Sequence, residues 1–214
     1  MRRLLFVVIA SLFFVVPARA QVCAGGASYA NPYQAGAGIA TASDVKISSI
    51  GGGLGGPVWF GQAGLQFTSF SGVGTAKGFF VTLGGDFVTD QDKKLHLCPL
   101  FSVSRSGSAV SVPNVDSSST QFSFGGSAGY MLTKLDAASV VPTLGFFVHR
   151  ASFSTKVAGV PVTGDTGETY ETIQLGVGFV FNDKIALVPS IILPFGVDGG
   201  ENSFALAFSY NFGR

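Results

Sequence analysis

The chain of 214 residues holds 47% hydrophobic residues and 30 glycines against only 12% charged residues, about half the charged share of an ordinary soluble domain. A formal net charge of +1 supplies no basic face for nucleic acid. The longest apolar stretch, Ile185 to Val197, is broken by Pro189, Ser190 and Pro194, so no helix can span a membrane there.

The N-terminus opens with Arg2 and Arg3, continues as an apolar run from Leu4 to Val16, breaks at Pro17 and offers Ala18-Arg19-Ala20. A charged start, a short apolar run and an A-x-A site describe a secretory signal peptide over residues 1–20, cut after Ala20. Lipoprotein processing at Cys23 is the rival, but Ala20, Gln21 and Val22 lack the residues of a lipobox. Residues 21–33, with Gly25, Gly26, Asn31 and Pro32, show no alternation and read as an irregular periplasmic lead-in. The rest, 34–214, is one domain of about the usual size.

Within it, segments of alternating character are separated by turn chemistry. Residues 34–42 and 47–55 form a weak Gly- and Ala-rich hairpin around Ser43-Asp44-Val45. Segment 58–70 sets Trp59, Ala63, Leu65 and Phe67 against Gln62, Gly64, Gln66 and Thr68, and 78–89 sets Phe79, Val81, Leu83 and Phe87 against Thr82, Gly84 and Asp86. Segment 94–105 opposes Leu95, Leu97, Pro99, Phe101 and Val103 to His96, Cys98, Leu100, Ser102 and Ser104. Segment 120–133 opposes Phe122, Phe124, Ala128 and Tyr130 to Gln121, Ser123, Gly125 and Ser127, and 139–153 opposes Pro142, Leu144, Phe146 and Val148 to Thr143, Gly145, Phe147 and His149. Segments 169–181 and 184–195 put Ile173, Leu175, Val177, Phe179, Phe181 and then Ile185, Leu187, Pro189, Ile191, Leu193 on one side. Two long polar loops, 106–119 and 154–168, interrupt the series. Pro99, Pro142 and Pro189 each follow a short turn by a few residues, on the apolar face. Proline avoids strand interiors, so three in register mark one rim.

The closing segment, 203–212, is the most telling. Phe204, Leu206, Phe208, Tyr210 and Phe212 share one face, and Ser203, Ala205, Ala207, Ser209 and Asn211 share the other. Bulk on one side and small, weakly polar groups on the other reverse the pattern of a soluble sandwich. They fit an all-β, antiparallel, up-and-down transmembrane barrel, greasy outside and small inside. Short turns belong to the periplasmic side and long loops to the extracellular side; with the last strand descending, the count is ten strands, or eight if the first hairpin is lost.

The signal peptide, the alternating segments over 34–212 and the aromatic terminal strand resemble the small bacterial outer-membrane β-barrel superfamily of OmpA-like and porin-like barrel domains. That resemblance implies residence in the outer membrane of a Gram-negative cell, contact with outer-membrane lipid, and recognition of the C-terminal strand by the barrel-assembly machinery. Members commonly end in Phe, whereas here Phe212 precedes Gly213-Arg214.

Candidate sites follow from this placement. Trp59, Phe122, Phe124, Tyr130, Phe179, Phe181, Phe204, Phe208, Tyr210 and Phe212 read as the lipid-facing aromatic band. Cys23 and Cys98 fall at the same periplasmic end in an oxidising compartment, so a disulfide is expected, against two unpaired thiols. Closing so long a loop contributes about 4 kcal/mol in the chain-entropy model. His96 and His149 sit at opposite ends and cannot share a site; His149 with Arg105 and Arg150 is expected to form a polar cluster at the outer rim. No catalytic, cofactor or metal site is expected. The expected function is a non-enzymatic structural or porin-like barrel; the alternatives are a passive small-solute pore, a rim hydrolase or acyltransferase, and a soluble secreted β-sandwich.

Overall fold

A computed structural model describes residues 33–56, 58–89, 92, 94–108, 115–135, 138–157, 160–161, 166–182, 184–196 and 201–212. The expected signal peptide, residues 21–32 of the expected lead-in with Cys23, and Gly213-Arg214 lie outside the described residues, while Tyr33, expected in the lead-in, is the first residue of a strand. Ten long strands follow in chain order: β1 (Tyr33–Ala42), β2 (Val45–Gly55), β3 (Trp59–Phe70), β4 (Gly74–Gly85), β5 (Leu95–Gly107), β6 (Val115–Tyr130), β7 (Ala138–Val157), β8 (Thr166–Phe181), β9 (Ile185–Phe195) and β10 (Ser203–Phe212). Each pairs antiparallel with the next, and β10 pairs with β1 from Tyr33↔Phe212 to Thr41↔Phe204, closing the ring. The first hairpin is present, so ten is the number.

Register fixes the shape. Following paired residues round the ring from Phe181 through Ile185, Tyr210, Ala35, Gly52, Ala63, Val81, Val103, Phe122 and Arg150 arrives at Thr169, 12 residues from the start on the same strand. Ten strands with that stagger tilt by about 40° and enclose a backbone cylinder of about 10 Å radius.

The outer face carries the bulk. All ten aromatic residues expected on the greasy side point outward, each at least 37% exposed, with Phe124 and Phe204 at 66%. By the same tilt, the outward apolar side chains from Phe181 up to Phe122 span about 25 Å along the axis, the height of a membrane barrel's apolar band. Tyr33, Trp59, Tyr130 and Tyr210 all fall on one level near its lower edge, within about 2 Å by register.

The three prolines act as expected from their missing N–H. Each is the fifth residue of its strand, Pro99 in β5, Pro142 in β7 and Pro189 in β9. The β4–β5 ladder skips the positions opposite Cys98 and Pro99, resuming at Phe87↔Leu97; Asp86 instead donates its backbone N–H to the Val58 carbonyl at 2.7 Å. The β8–β9 ladder skips Val177 and Gly178, opposite Val188 and Pro189. Beside Pro142, three residues of one strand oppose two of the other between Gly129↔Thr143 and Thr133↔Val140, a bulge.

The long loops differ from expectation. β5 runs on to Gly107 and β6 starts at Val115; β7 runs to Val157 and β8 starts at Thr166. About half of each expected loop is therefore wall: 106–107 and 115–119 in the first, 154–157 and 166–168 in the second. Above the apolar band both faces of a strand meet water, so alternation fades while the backbone ladder continues. Serine hydroxyls pair across it, as at Ser106–Ser119, 2.7 Å.

Candidate functional site

The lumen is where side chains converge, and its two ends differ. At the short-turn end inward residues are packed tight. Val141, Val180, Ala186 and Val188 form one buried cluster with Met131 against it, and Phe60 with Cys98 forms another with Leu100. Beside them His96 Nδ1 lies 2.8 Å from Asp86 Oδ1, with both side chains almost wholly buried. Cys98 is 1% exposed, and the described residues include no free cysteine.

Midway the lumen loosens. A cavity of about 230 Å³ is lined by Gln34, Ser49, Gln62, Phe80 and Ser209, and Gln62 donates to Gln34 Oε1 at 3.0 Å. Three inward phenylalanines each lie over glycine. Phe80 covers Gly51 and Gly64, where a Cβ would meet its ring at 3.1 and 2.7 Å; Phe147 covers Gly125 at 2.7 Å, and Phe60 covers Gly84 more closely still. These glycines are thus seats for inward rings, which reduces the open bore.

Toward the long-loop end, β6, β7 and β8 bring together the densest polar group. Ser123 and His149 are direct partners across β6–β7, and His149 and Tyr170 across β7–β8. His149 Nδ1 lies 2.8 Å from Ser123 Oγ and 3.0 Å from Gln121 Nε2; its Nε2 lies 2.9 Å from Thr172 Oγ1. Because the Gln121 amide donates, the ring accepts at Nδ1 and donates from Nε2 to Thr172. Tyr170 stacks on it at 4.7 Å and 20°. His149, Tyr170 and Thr172, with Phe147, Gln174 and Ile192, line a cavity of about 300 Å³. A neighbouring one of about 330 Å³ is lined by Gln66, Thr68, Ser104 and Ser119.

The outer-rim cluster expected for Arg105, His149 and Arg150 is divided by the wall. Arg105 and Arg150 are exposed on the outer face, while His149 points into the lumen. Adjacent residues of a strand face opposite sides, a signal already available in the pair His149-Arg150. The alternation within a single strand does not single out Tyr170 and Thr172, nor the inward rings Phe60 and Phe80.

No known family pattern matches the chain, and no curated protein matches it. Among solved structures, the chain is similar to the N-terminal β-barrel domain of OprF from Pseudomonas aeruginosa, with 14% identity, 84% of this chain and 96% of that one covered, and a TM-score of 0.42. It is also similar to the translocator domain of the autotransporter NalP from Neisseria meningitidis, at 13%, 84%, 87% and 0.47. NspA, a neisserial surface protein, gives 16%, 85%, 97% and 0.40. The neighbours are outer-membrane β-barrels; scores at this level describe a general resemblance of shape and go no further.

Proposed function

We propose that the chain is a non-enzymatic outer-membrane β-barrel that serves as a closed structural scaffold, carrying a polar, extracellular-facing vestibule on a wall extended beyond the membrane. The observation that carries it is the pairing of an outward apolar band about 25 Å tall with a lumen whose fully buried residues gather at the short-turn end. A soluble sandwich would bury Phe204 and Phe208, which are 66% and 46% exposed. A pore needs a continuous wet bore, and Phe60, Phe80, Phe147 and the Val141–Val188 cluster oppose one. Both nitrogens of His149 are engaged by hydroxyl and amide groups, an arrangement that suits a strut between three strands better than a base aimed at a nucleophile.

The expected result is that the protein fractionates with outer membranes, shows heat-dependent mobility in detergent gels, and gives no stepwise conductance in a planar bilayer. Discrete conductance steps overturn the closed scaffold in favour of a passive pore, and recovery from the aqueous periplasmic extract overturns the barrel's membrane placement. On the same reading, Cys98 pairs with Cys23 and clips the lead-in to the short-turn mouth. Thiol titration in denaturant then counts none before reduction and two after; equal counts rule the bridge out. The terminal strand β10 would present Phe204, Phe208 and Phe212 to the barrel-assembly machinery.

A further inference from the structure

The outward face carries a second girdle, and it is cationic. On the register path above, Arg150 is a member; Arg105 stands two residues up β5 from Val103, Lys77 four up β4 from Val81, and Lys46 six up β2 from Gly52. The path climbs 12 residues in ten steps, so these offsets cancel the climb, and the four cations share one level to within about one residue, or 2.5 Å along the axis. That level lies just above the apolar band, about 22 Å from the girdle of Tyr33, Trp59, Tyr130 and Tyr210. All four are exposed, and among the described residues none of them makes an ion pair. From β2 to β7 successive members are one or two strands apart, so the collar is an arc over half the ring, and Lys77 and Arg105 are diagonal neighbours roughly 7–8 Å apart.

We infer that the outward collar of Lys46, Lys77, Arg105 and Arg150 binds the phosphates of an anionic, multiply phosphorylated lipid of the leaflet on the long-loop side. The inference rests on the membrane placement proposed above. The occupant is a lipid because the cations stand directly over outward apolar groups: Phe79 lies two residues below Lys77, Phe122 is paired with Arg150, and Val103 lies two residues below Arg105. A phosphate held at the collar would therefore sit above its own acyl chains on the same wall. The chemical asymmetry points the same way. The short-turn rim presents Tyr and Trp, suited to any interface, whereas the long-loop rim presents these four cations against one acid at their level, Glu171, exposed on β8 diagonally beside Arg150, a net positive charge suited to a surface bearing negative charge.

The test reconstitutes the full chain into vesicles holding equal amounts of a bisphosphorylated acyl-glucosamine disaccharide and phosphatidylethanolamine, extracts it in mild detergent, and counts the retained lipids by mass spectrometry. The wild type is expected to retain the phosphorylated glycolipid over phosphatidylethanolamine by about tenfold or more, and the variant Lys46→Gln/Lys77→Gln/Arg105→Gln/Arg150→Gln to fall to near parity. The half-collar variants Lys46→Gln/Lys77→Gln and Arg105→Gln/Arg150→Gln are expected between the two. Lys156→Gln, six residues beyond Arg150 and about 15 Å above the collar, is expected to behave as wild type. Equal retention of both lipids by an inserted, heat-modifiable wild type overturns the inference alone. Displacement of the glycolipid by inorganic phosphate at matched ionic strength also overturns it, since the site would then be one for phosphate. Failure to insert into any vesicle overturns the membrane placement and the collar with it.

Discussion

Four inward glycines, Gly51, Gly64, Gly84 and Gly125, are seats for rings. A Cβ at Gly64 would run into the Ile50 carbonyl as well as the Phe80 ring, so Gly64→Val displaces both wall and filling. Overpacking of this kind costs about 1–3 kcal/mol, and urea titration in vesicles should show Gly64→Val less stable than wild type by at least that much. An outward residue such as Gly52, whose added Cβ has only the Gln34 carbonyl nearby at 3.3 Å, is the milder control. His149 is the other residue with an outsized reach. His149→Ala leaves Gln121, Ser123 and Thr172 without their shared partner, at a cost of about 1–3 kcal/mol, read as a lower unfolding midpoint in the same assay. The outward set was legible residue by residue because bulky apolar groups recur there at every second position of each strand. The inward set was not, because small residues and rings alternate there by diagonal pairing across strands, which a single strand's pattern does not display. Phe60 and Phe80 follow Trp59 and Phe79 directly, and only parity tells which of each pair faces in.

At the scale of the element, the ends of strands were the hard part. Alternation located every strand within the apolar band, and the turn residues located the short connections. Beyond the band the pattern fades, as at Ser117–Ser119 and Ser152–Thr155, because both faces are wet and selection for a greasy side lapses. The backbone ladder continues regardless, so β7 reaches 20 residues. The tight turn between β8 and β9 holds Asn182 at φ 51, the left-handed region that Asn and Gly tolerate and branched residues do not. Asn182→Gly should leave stability within a few tenths of a kcal/mol, whereas Asn182→Val should lose about 1–2 kcal/mol, measured as the shift in folding yield against urea.

For the molecule as a whole, ten strands and their stagger set a cylinder wide enough to admit side chains yet narrow enough for three phenylalanines and a valine cluster to occupy much of it. Closure is visible in the pairing of the first strand with the last. Nine of the ten ladders join strands adjacent in sequence, so each costs little loop entropy to form. The tenth joins Tyr33 to Phe212 and must wait for the entire chain. Until then the sheet exposes two bare hydrogen-bonding borders, the hazard of any unfinished sheet, and one of them is the glycine- and alanine-rich β1. That seam also places residues 33 and 212 side by side. A circular permutant that links them and opens the chain within 108–114 should still form the same cylinder, with a different ladder now formed last.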